Sequence, residues 1–108
     1  MKQVKVRFFT GREEFNMEIA KRLLGVLASY DIVVTDNIDD ADIGVCTPEY
    51  CRLFEKIPIV VLTDSVDSFF EVGNAVEWTP IPITDDDFLR LEFRLIGVAH
   101  AVQLDDDV

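Results

Sequence analysis

A short, continuous run of apolar residues near the middle of the chain sets the pattern from which the fold is predicted. Residues 57–65 read IPIVVLTDS, so that the apolar residues Ile59 to Leu62 lead directly into Thr63 and Asp64. This run is too short for a helix and too continuous for a strand that has one face in water. We therefore predict a strand buried on both faces, which is typical of a parallel sheet with helices on both sides.

The segments on either side of this run alternate between strand and helix patterns. Strands are predicted over residues 3–10, 32–35, 42–46, 58–63 and 75–79. Apolar positions at helical spacing predict a first helix that starts from a capping box, Thr10 and Glu13, and ends near Ser29. Short helices follow over residues 48–54 and 66–72, and a last helix runs from Thr84 to about Gln103.

The link between the second and third predicted strands is unusually short. Residues 36–41 leave about six positions, whereas parallel strands are normally joined by a crossover of a dozen or more residues. We therefore expect the second crossover helix to be missing. Either the link is nearly straight, or one strand is an antiparallel edge strand.

Length and charge limit the classes of function. The chain has 108 residues and a formal net charge of −11, which predicts one domain over residues 1–104 and an acidic C-terminal tail over 105–108. This charge disfavours nucleic acids and anionic membranes and favours a protein partner with a basic surface. Because no signal-peptide core or membrane-length apolar run is found, a cytoplasmic location is expected.

The two cysteines do not follow a metal-binding pattern. Cys46 and Cys51 are separated by four residues, and the single His100 lies far away in the sequence. In the cytoplasm both thiols would normally stay reduced. We expect no metal or other cofactor.

Two motifs in the second half of the chain carry a resemblance to a known family. Residues 58–63, PIVVLT, and residues 81–84, IPIT, with Phe88 after them, resemble the fourth strand and the turn before the last helix of the CheY-like receiver domain of response regulators. The resemblance implies a three-layer, doubly wound α/β fold. Its five-stranded, mostly parallel sheet would have the flavodoxin-like strand order 2-1-3-4-5.

The groups that carry receiver chemistry are replaced in this sequence. Receivers hold Mg²⁺ with acidic residues after the first strand, accept phosphate on an Asp after the third and pair the phosphoryl group with a Lys after the fifth. The corresponding positions here, which we predict to form a degenerate pocket, are Thr10, Gly11, Cys46, Thr47 and Ile81, with only the phosphorylation-sensing Thr63 retained. The resemblance therefore implies a pseudo-receiver that is not an enzyme. It would act in two-component-type signal transduction through protein contacts.

Two alternatives remain open for this region. The strand-end hydroxyls would either hold a small anion or simply cap the following helices. The chain would otherwise be a small thiol-dependent enzyme or phosphoryl carrier that uses Cys46 or Cys51, similar to the PTS IIB domains. Those domains carry their catalytic Cys just after the first strand, where this chain has Thr10.

The last helix is predicted to have two apolar stripes. One stripe packs on the sheet and consists of Phe88, Leu91, Leu95, Val98, Ala99 and Val102. A second stripe consists of Leu89, Phe93, Ile96, His100 and Leu104. This second stripe either packs against another element or forms the interface of a homodimer or partner complex.

Overall fold

A five-stranded sheet runs through the middle of the molecule in this computed structural model, which describes residues 3–54 and 56–106. The strands are β1 (Val4–Phe9), β2 (Ile32–Val34), β3 (Ile43–Cys46), β4 (Ile59–Leu62) and β5 (Ala75–Thr79). All the pairings are parallel, and the order is β2-β1-β3-β4-β5. The predicted α/β, flavodoxin-like fold class is therefore confirmed.

Helices cover both faces of this sheet. The α-helices are α1 (Glu13–Ala28), α2 (Val66–Glu71) and α3 (Asp85–Asp106), and a 3₁₀ helix over Pro48–Phe54 joins β3 to β4. Helix α3 continues three residues past its predicted end at Gln103. Residues 107 and 108 of the predicted acidic tail lie outside the described residues. None of the described helices is long and apolar enough to cross a membrane.

Two apolar clusters fill the space between the sheet and its helices. On the first face, Val6 and Phe8 of β1 pack with Leu23 of α1 and Leu95 of α3. On the second face the 48–54 helix and α2 meet a separate cluster, whose members include Cys46, Cys51, Phe54, Ile59, Val61, Phe69 and Trp78. Strands β3 and β4 are buried along their whole length because they contribute to both clusters. The prediction from the apolar run at Ile59–Leu62 is thus confirmed.

The β2–β3 link contains no crossover α-helix. It spans residues 35–42 and holds one 3₁₀ turn, Ile38–Asp40, in which the Asn37 side chain accepts a hydrogen bond from Asp39 N–H at 3.0 Å. The backbone N–H of Asp42 donates to Lys5 O at 2.7 Å, which returns the chain to the side of β1 opposite β2. An antiparallel edge strand is therefore wrong. The link is also not fully straight, because the strands end early enough to leave eight residues for it.

The two long helices begin in different ways. The predicted capping box of Thr10 and Glu13 is wrong, since α1 has Arg12 as its N-cap and no side-chain capping bond. In α3, by contrast, Thr84 and Asp87 cap each other. The Thr84 N–H and hydroxyl donate to Asp87 Oδ2 at 3.1 and 2.8 Å, and Asp87 N–H donates to Thr84 Oγ1 at 3.2 Å. These hydrogen bonds hold the pKa of Asp87 below its ordinary value.

Candidate functional site

The carboxyl ends of β1, β3 and β4 bring the predicted pocket residues to one edge of the sheet. Phe9 pairs with Cys46, and Cys46 pairs with Val61, so Thr10, Thr47 and Thr63 follow neighbouring strand ends. This edge is where open parallel sheets bind their ligands. The chemistry available at this edge depends on what each of the three hydroxyls contacts.

Thr10 is held by α1. Its backbone N–H and its hydroxyl both donate to Asn16 Oδ1, at 2.8 and 2.7 Å, and both residues are buried. The Arg12 N–H in turn points at Thr10 Oγ1 from 3.4 Å. A hydroxyl with these partners fixes the β1–α1 turn and is not free to bind a ligand.

A tyrosine ring occupies the space above Gly11. This glycine has a φ of 78°, and a Cβ built on it would lie 2.6 Å from Cε2 of Tyr50. The Tyr50 ring also packs against Phe9, with the ring centroids 5.0 Å apart. Gly11 therefore serves a left-handed turn and a close ring contact, both of which exclude a side chain. The position that carries acidic residues in receivers is covered by an aromatic ring here.

The other two strand-end threonines do not form a shared ligand cradle. Thr63 Oγ1 accepts a hydrogen bond from Ser65 N–H at 3.1 Å, which closes a local turn before α2. Thr47 has a buried Oγ1 without a hydrogen-bond partner among the described residues, and its carbonyl accepts from Tyr50 N–H at 3.0 Å. Thr47 does not cap the 48–54 helix as predicted, because its Oγ1 has no hydrogen-bond partner among the described residues. Helix α2 has Ser65 as its N-cap, without a side-chain capping bond.

The remaining residues of the predicted pocket, Cys46 and Ile81, lack the groups that phosphoryl chemistry needs. Cys46 is fully buried in the second-face cluster, and Ile81, at the position of the receiver lysine, packs against the first-face cluster. Within residues 3–54 and 56–106, no group of three or more His, Cys, Asp or Glu side chains is placed to hold a metal ion. The two clefts described below, one lined by Phe93 and Val76 and the other by Cys51, do not include Thr10, Thr47 or Thr63 in their walls.

The second stripe of α3 lies on the outer surface of the described part of the molecule. Leu89, Phe93 and Leu104 are 53%, 67% and 53% exposed, and His100 is also exposed. Ile96 differs, because it is half-buried and packs against the first-face cluster. The first stripe is buried or half-buried as predicted. Helix α3 thus uses one side to close the core and leaves an apolar row in solvent.

A groove continues this apolar surface toward the edge strand β5. It has a volume of about 650 Å³, and its lining includes Phe93 and Gly97 of α3, Val76 of β5 and Pro58. A bulge shapes the strand here, because neighbouring residues Ile59 and Val60 pair with Ala75 and Glu77 and skip Val76. The bulge leaves room for Val76 in the wall of the groove.

An arginine bridges α3 and β5 beside the groove. The Arg94 side chain donates to Trp78 O and, at 3.1 Å, to Thr79 Oγ1, and it forms an ion pair with Glu77 at 3.7 Å. These contacts tie the helix to the edge strand. The groove therefore has a fixed wall on each side.

Sequence reasoning missed the residues that close the strand-end region. In the sequence, nothing distinguishes Asn16 from the other polar positions of an amphipathic helix, or Tyr50 from the other residues of a short helix. The Gly11 that follows β1 was the available signal for Tyr50, since a glycine at such a turn accommodates either a ligand or a close side chain. At the predicted pocket, Asn16 thus holds Thr10 and the Tyr50 ring covers Gly11.

Comparison of the chain with protein-family models, with curated proteins and with solved structures gave no match. The receiver resemblance therefore stays a prediction from the sequence.

Proposed function

We propose that this chain is a receiver-like regulatory module of the cytoplasm that acts through protein contacts and does not use phosphorylation. We further propose that it works as a homodimer through the outer face of α3, defined here as Leu89, Phe93, Ile96, His100 and Leu104. The observation that carries the proposal is the exposure of Leu89, Phe93 and Leu104 on a helix that is already anchored to the core through its other side.

The strand-end region supports the non-catalytic half of the proposal. Receiver chemistry needs acidic metal ligands, a phosphate-accepting carboxylate and a pairing cation. At the matching positions the chain has Gly11 under the Tyr50 ring, a buried Cys46 and a core-packed Ile81. An acidic residue placed at position 11 would not rebuild a metal site, because the Tyr50 ring occupies the space above Gly11.

The α3 surface supports the second part of the proposal, that the chain acts through protein contacts. An exposed apolar row beside an apolar groove is the kind of surface that a protein interface covers. A second copy of the chain is the simplest occupant, since a two-fold axis pairs the same surface of both copies and so covers both apolar rows at once. The alternative occupant, a protein with a basic surface, fits the net charge of −11 and is an outcome of the same test.

The effect of removing Phe93 follows from its exposure. Burial of the exposed two thirds of this side chain contributes about 1 to 2 kcal/mol per copy, and a symmetric dimer contains two copies. Phe93→Asp also places a charge in an apolar interface, which adds to the loss. We expect dimerisation to weaken by at least about 100-fold, because each 1.4 kcal/mol is a factor of ten.

Sedimentation equilibrium on the wild-type chain, Phe93→Asp and Phe70→Asp tests the proposal. Phe70 is 75% exposed on α2, on the opposite face of the sheet, and so provides a matched control. We expect a wild-type dimer, a monomeric Phe93→Asp chain with native circular dichroism, and a dimeric Phe70→Asp chain. A monomeric wild type would overturn the homodimer. A protein with a basic surface would then remain as the occupant of the α3 face, and a pull-down with the same variants would test it. Equal weakening by both substitutions would place the interface elsewhere.

A further inference from the structure

The two cysteines lie together under the second face of the sheet. Cys46 ends β3, and Cys51 is in the middle of the 48–54 helix, yet their sulfur atoms are only 3.2 Å apart. Both are free thiols, and their side chains are 0% and 6% exposed. The sulfurs would have to approach by about 1.1 Å to reach the S–S bond length of about 2.05 Å. The fold therefore holds a dithiol at near-bonding distance.

Local structure explains why the two sulfurs meet. Thr47 follows β3, and its carbonyl accepts hydrogen bonds from Tyr50 N–H at 3.0 Å and from the Cys51 thiol at 3.5 Å. These bonds turn the chain back over the strand that it has just left. Phe54 and Val61 belong to the same cluster and pack around the pair. The dithiol is thus a product of the tight β3–β4 connection and does not depend on the α3 surface.

The two thiols differ in access. A cleft of about 530 Å³ between the 48–54 helix and α2 is lined by Cys51 together with Arg52, Ser68, Glu71 and Asn74. Cys46 does not line this cleft. Of the two cysteines, Cys51 is therefore the one that a small molecule in this cleft meets.

The two thiols also differ in acidity. The hydrogen bond from the Cys46 thiol lowers the pKa of Cys51, and the same contact with burial raises the pKa of Cys46. Burial and the nearby Glu49 oppose the lowering of the Cys51 pKa but do not outweigh it. Arg52 and Glu71 are the charged side chains in the cleft lining. The thiol at the cleft is thus the one that more readily becomes a thiolate.

We propose that Cys46 and Cys51 form a redox-active dithiol that exchanges with low-molecular-weight disulfides entering the cleft between the 48–54 helix and α2. The Cys51 thiolate attacks one sulfur of the disulfide RSSR and forms a mixed disulfide, and the first RS⁻ leaves. Cys46 gives its proton to the departing thiolate, attacks Cys51 Sγ and expels the second RS⁻, which takes up the proton that Cys51 had lost. The protein loses two electrons and two protons, and RSSR becomes two RSH.

The test uses the full chain in glutathione buffers of defined ratio of oxidised to reduced form, followed by acid quench, alkylation and intact mass. Wild type should pass from two alkylatable thiols to none through a single midpoint, with little glutathione adduct. Cys46→Ser should accumulate a stable adduct on Cys51, because the thiol that resolves the adduct is missing. Cys51→Ser should stay largely unmodified, because Cys46 does not line the cleft.

Two results would overturn the proposal whether or not the serine variants fold. One is a wild-type chain that keeps both thiols alkylatable across the whole buffer series. The other is an oxidation rate that rises with urea in parallel with global unfolding, which would mean that the thiols react only in the unfolded chain. Should a serine variant fail to fold, peptide mapping of the first wild-type adduct replaces it. An early adduct on Cys51 supports the proposal, and one on Cys46 overturns it.

Discussion

Gly44 lies in the middle of β3 at a position where a single methyl group should disturb the second-face cluster. The Phe54 ring packs directly on it, and a Cβ built on Gly44 would lie 2.7 Å from Phe54 Cγ and 2.9 Å from Cδ1. Real Cβ atoms do not approach a ring this closely, so either the ring or the strand must move. Gly44→Ala therefore measures how rigidly the 48–54 helix is packed on the sheet.

The expected cost combines two opposing effects. Overpacking of a core position costs about 1 to 3 kcal/mol. Replacing a strand glycine by alanine recovers about 0.5 to 1 kcal/mol, because the unfolded chain loses backbone freedom. The middles of these two ranges, about 2 and about 0.75 kcal/mol, leave an expected loss of about 1.2 kcal/mol in the free energy of unfolding of Gly44→Ala. At a typical urea dependence for a small protein, the midpoint falls by about 1 M.

Equilibrium unfolding in urea, followed by circular dichroism, measures this shift against a matched control. Gly25 lies in α1 with open space around its Cα, so Gly25→Ala should raise stability by about 0.5 to 1 kcal/mol through helix propensity. Phe54→Leu combined with Gly44→Ala should cost less than the sum of the two single substitutions, since the smaller side chain leaves room for the methyl. A neutral Gly44→Ala, or strictly additive costs in the double variant, would refute the packing described here.

Two further predictions concern side chains that fix helix ends. Asn16→Ala should lower the free energy of unfolding by about 1 to 3 kcal/mol, because the buried Thr10 N–H and hydroxyl lose their acceptor. Asn16→Asp keeps an acceptor and should recover much of that loss in the same urea assay; equal costs would contradict this. For Asp87, whose pKa is lowered in the fold, the stability advantage over Asp87→Asn should be constant well above about pH 3.9 and shrink as pH falls below it. A pH-independent difference in unfolding free energy would contradict the capping role.

Much of the fold follows from local sequence patterns. The buried run at Ile59–Leu62 predicted a parallel sheet, and the spacing in α3 separated its core side from its exposed row. The shortness of the β2–β3 link correctly excluded a crossover helix. These signals are readable because each depends on the period of one element or on the reach of one segment.

The details that decide the chemistry depend on contacts between distant residues. Thr10 has the sequence context of a capping residue. Its N–H and hydroxyl donate instead to the side-chain oxygen of the buried Asn16. The filling of the space above Gly11 depends on Tyr50, which reaches it only through the turn after β3. The Val76 bulge is set by pairing with β4. The spacing of residues within one helix or strand does not encode these contacts. The sequence therefore predicted which residues lie at the strand ends but not which side chains cover them.

The closed strand-end region also bears on how a module of this kind would be controlled. In the receiver family that the sequence resembles, the residue at the position of Thr63 senses phosphorylation. Here its hydroxyl is already held by Ser65 N–H at 3.1 Å, and the neighbouring Gly11 site is covered by Tyr50. We therefore expect control of this chain to act through occupancy of the α3 face, whose exposed residues lie on a different element.

Amide chemical shifts of the ¹⁵N-labelled chain, recorded with and without Mg²⁺ and beryllofluoride, test whether the strand-end region binds a phosphoryl-like group. Beryllofluoride mimics a phosphoryl group at receiver pockets, where it needs the metal, the carboxylate and the cation together. We expect unchanged shifts at Thr10, Thr47 and Thr63, and the same result with acetyl phosphate. Saturable changes clustered at these three residues would contradict it, because they would show that the strand-end region opens and binds a phosphoryl-like ligand.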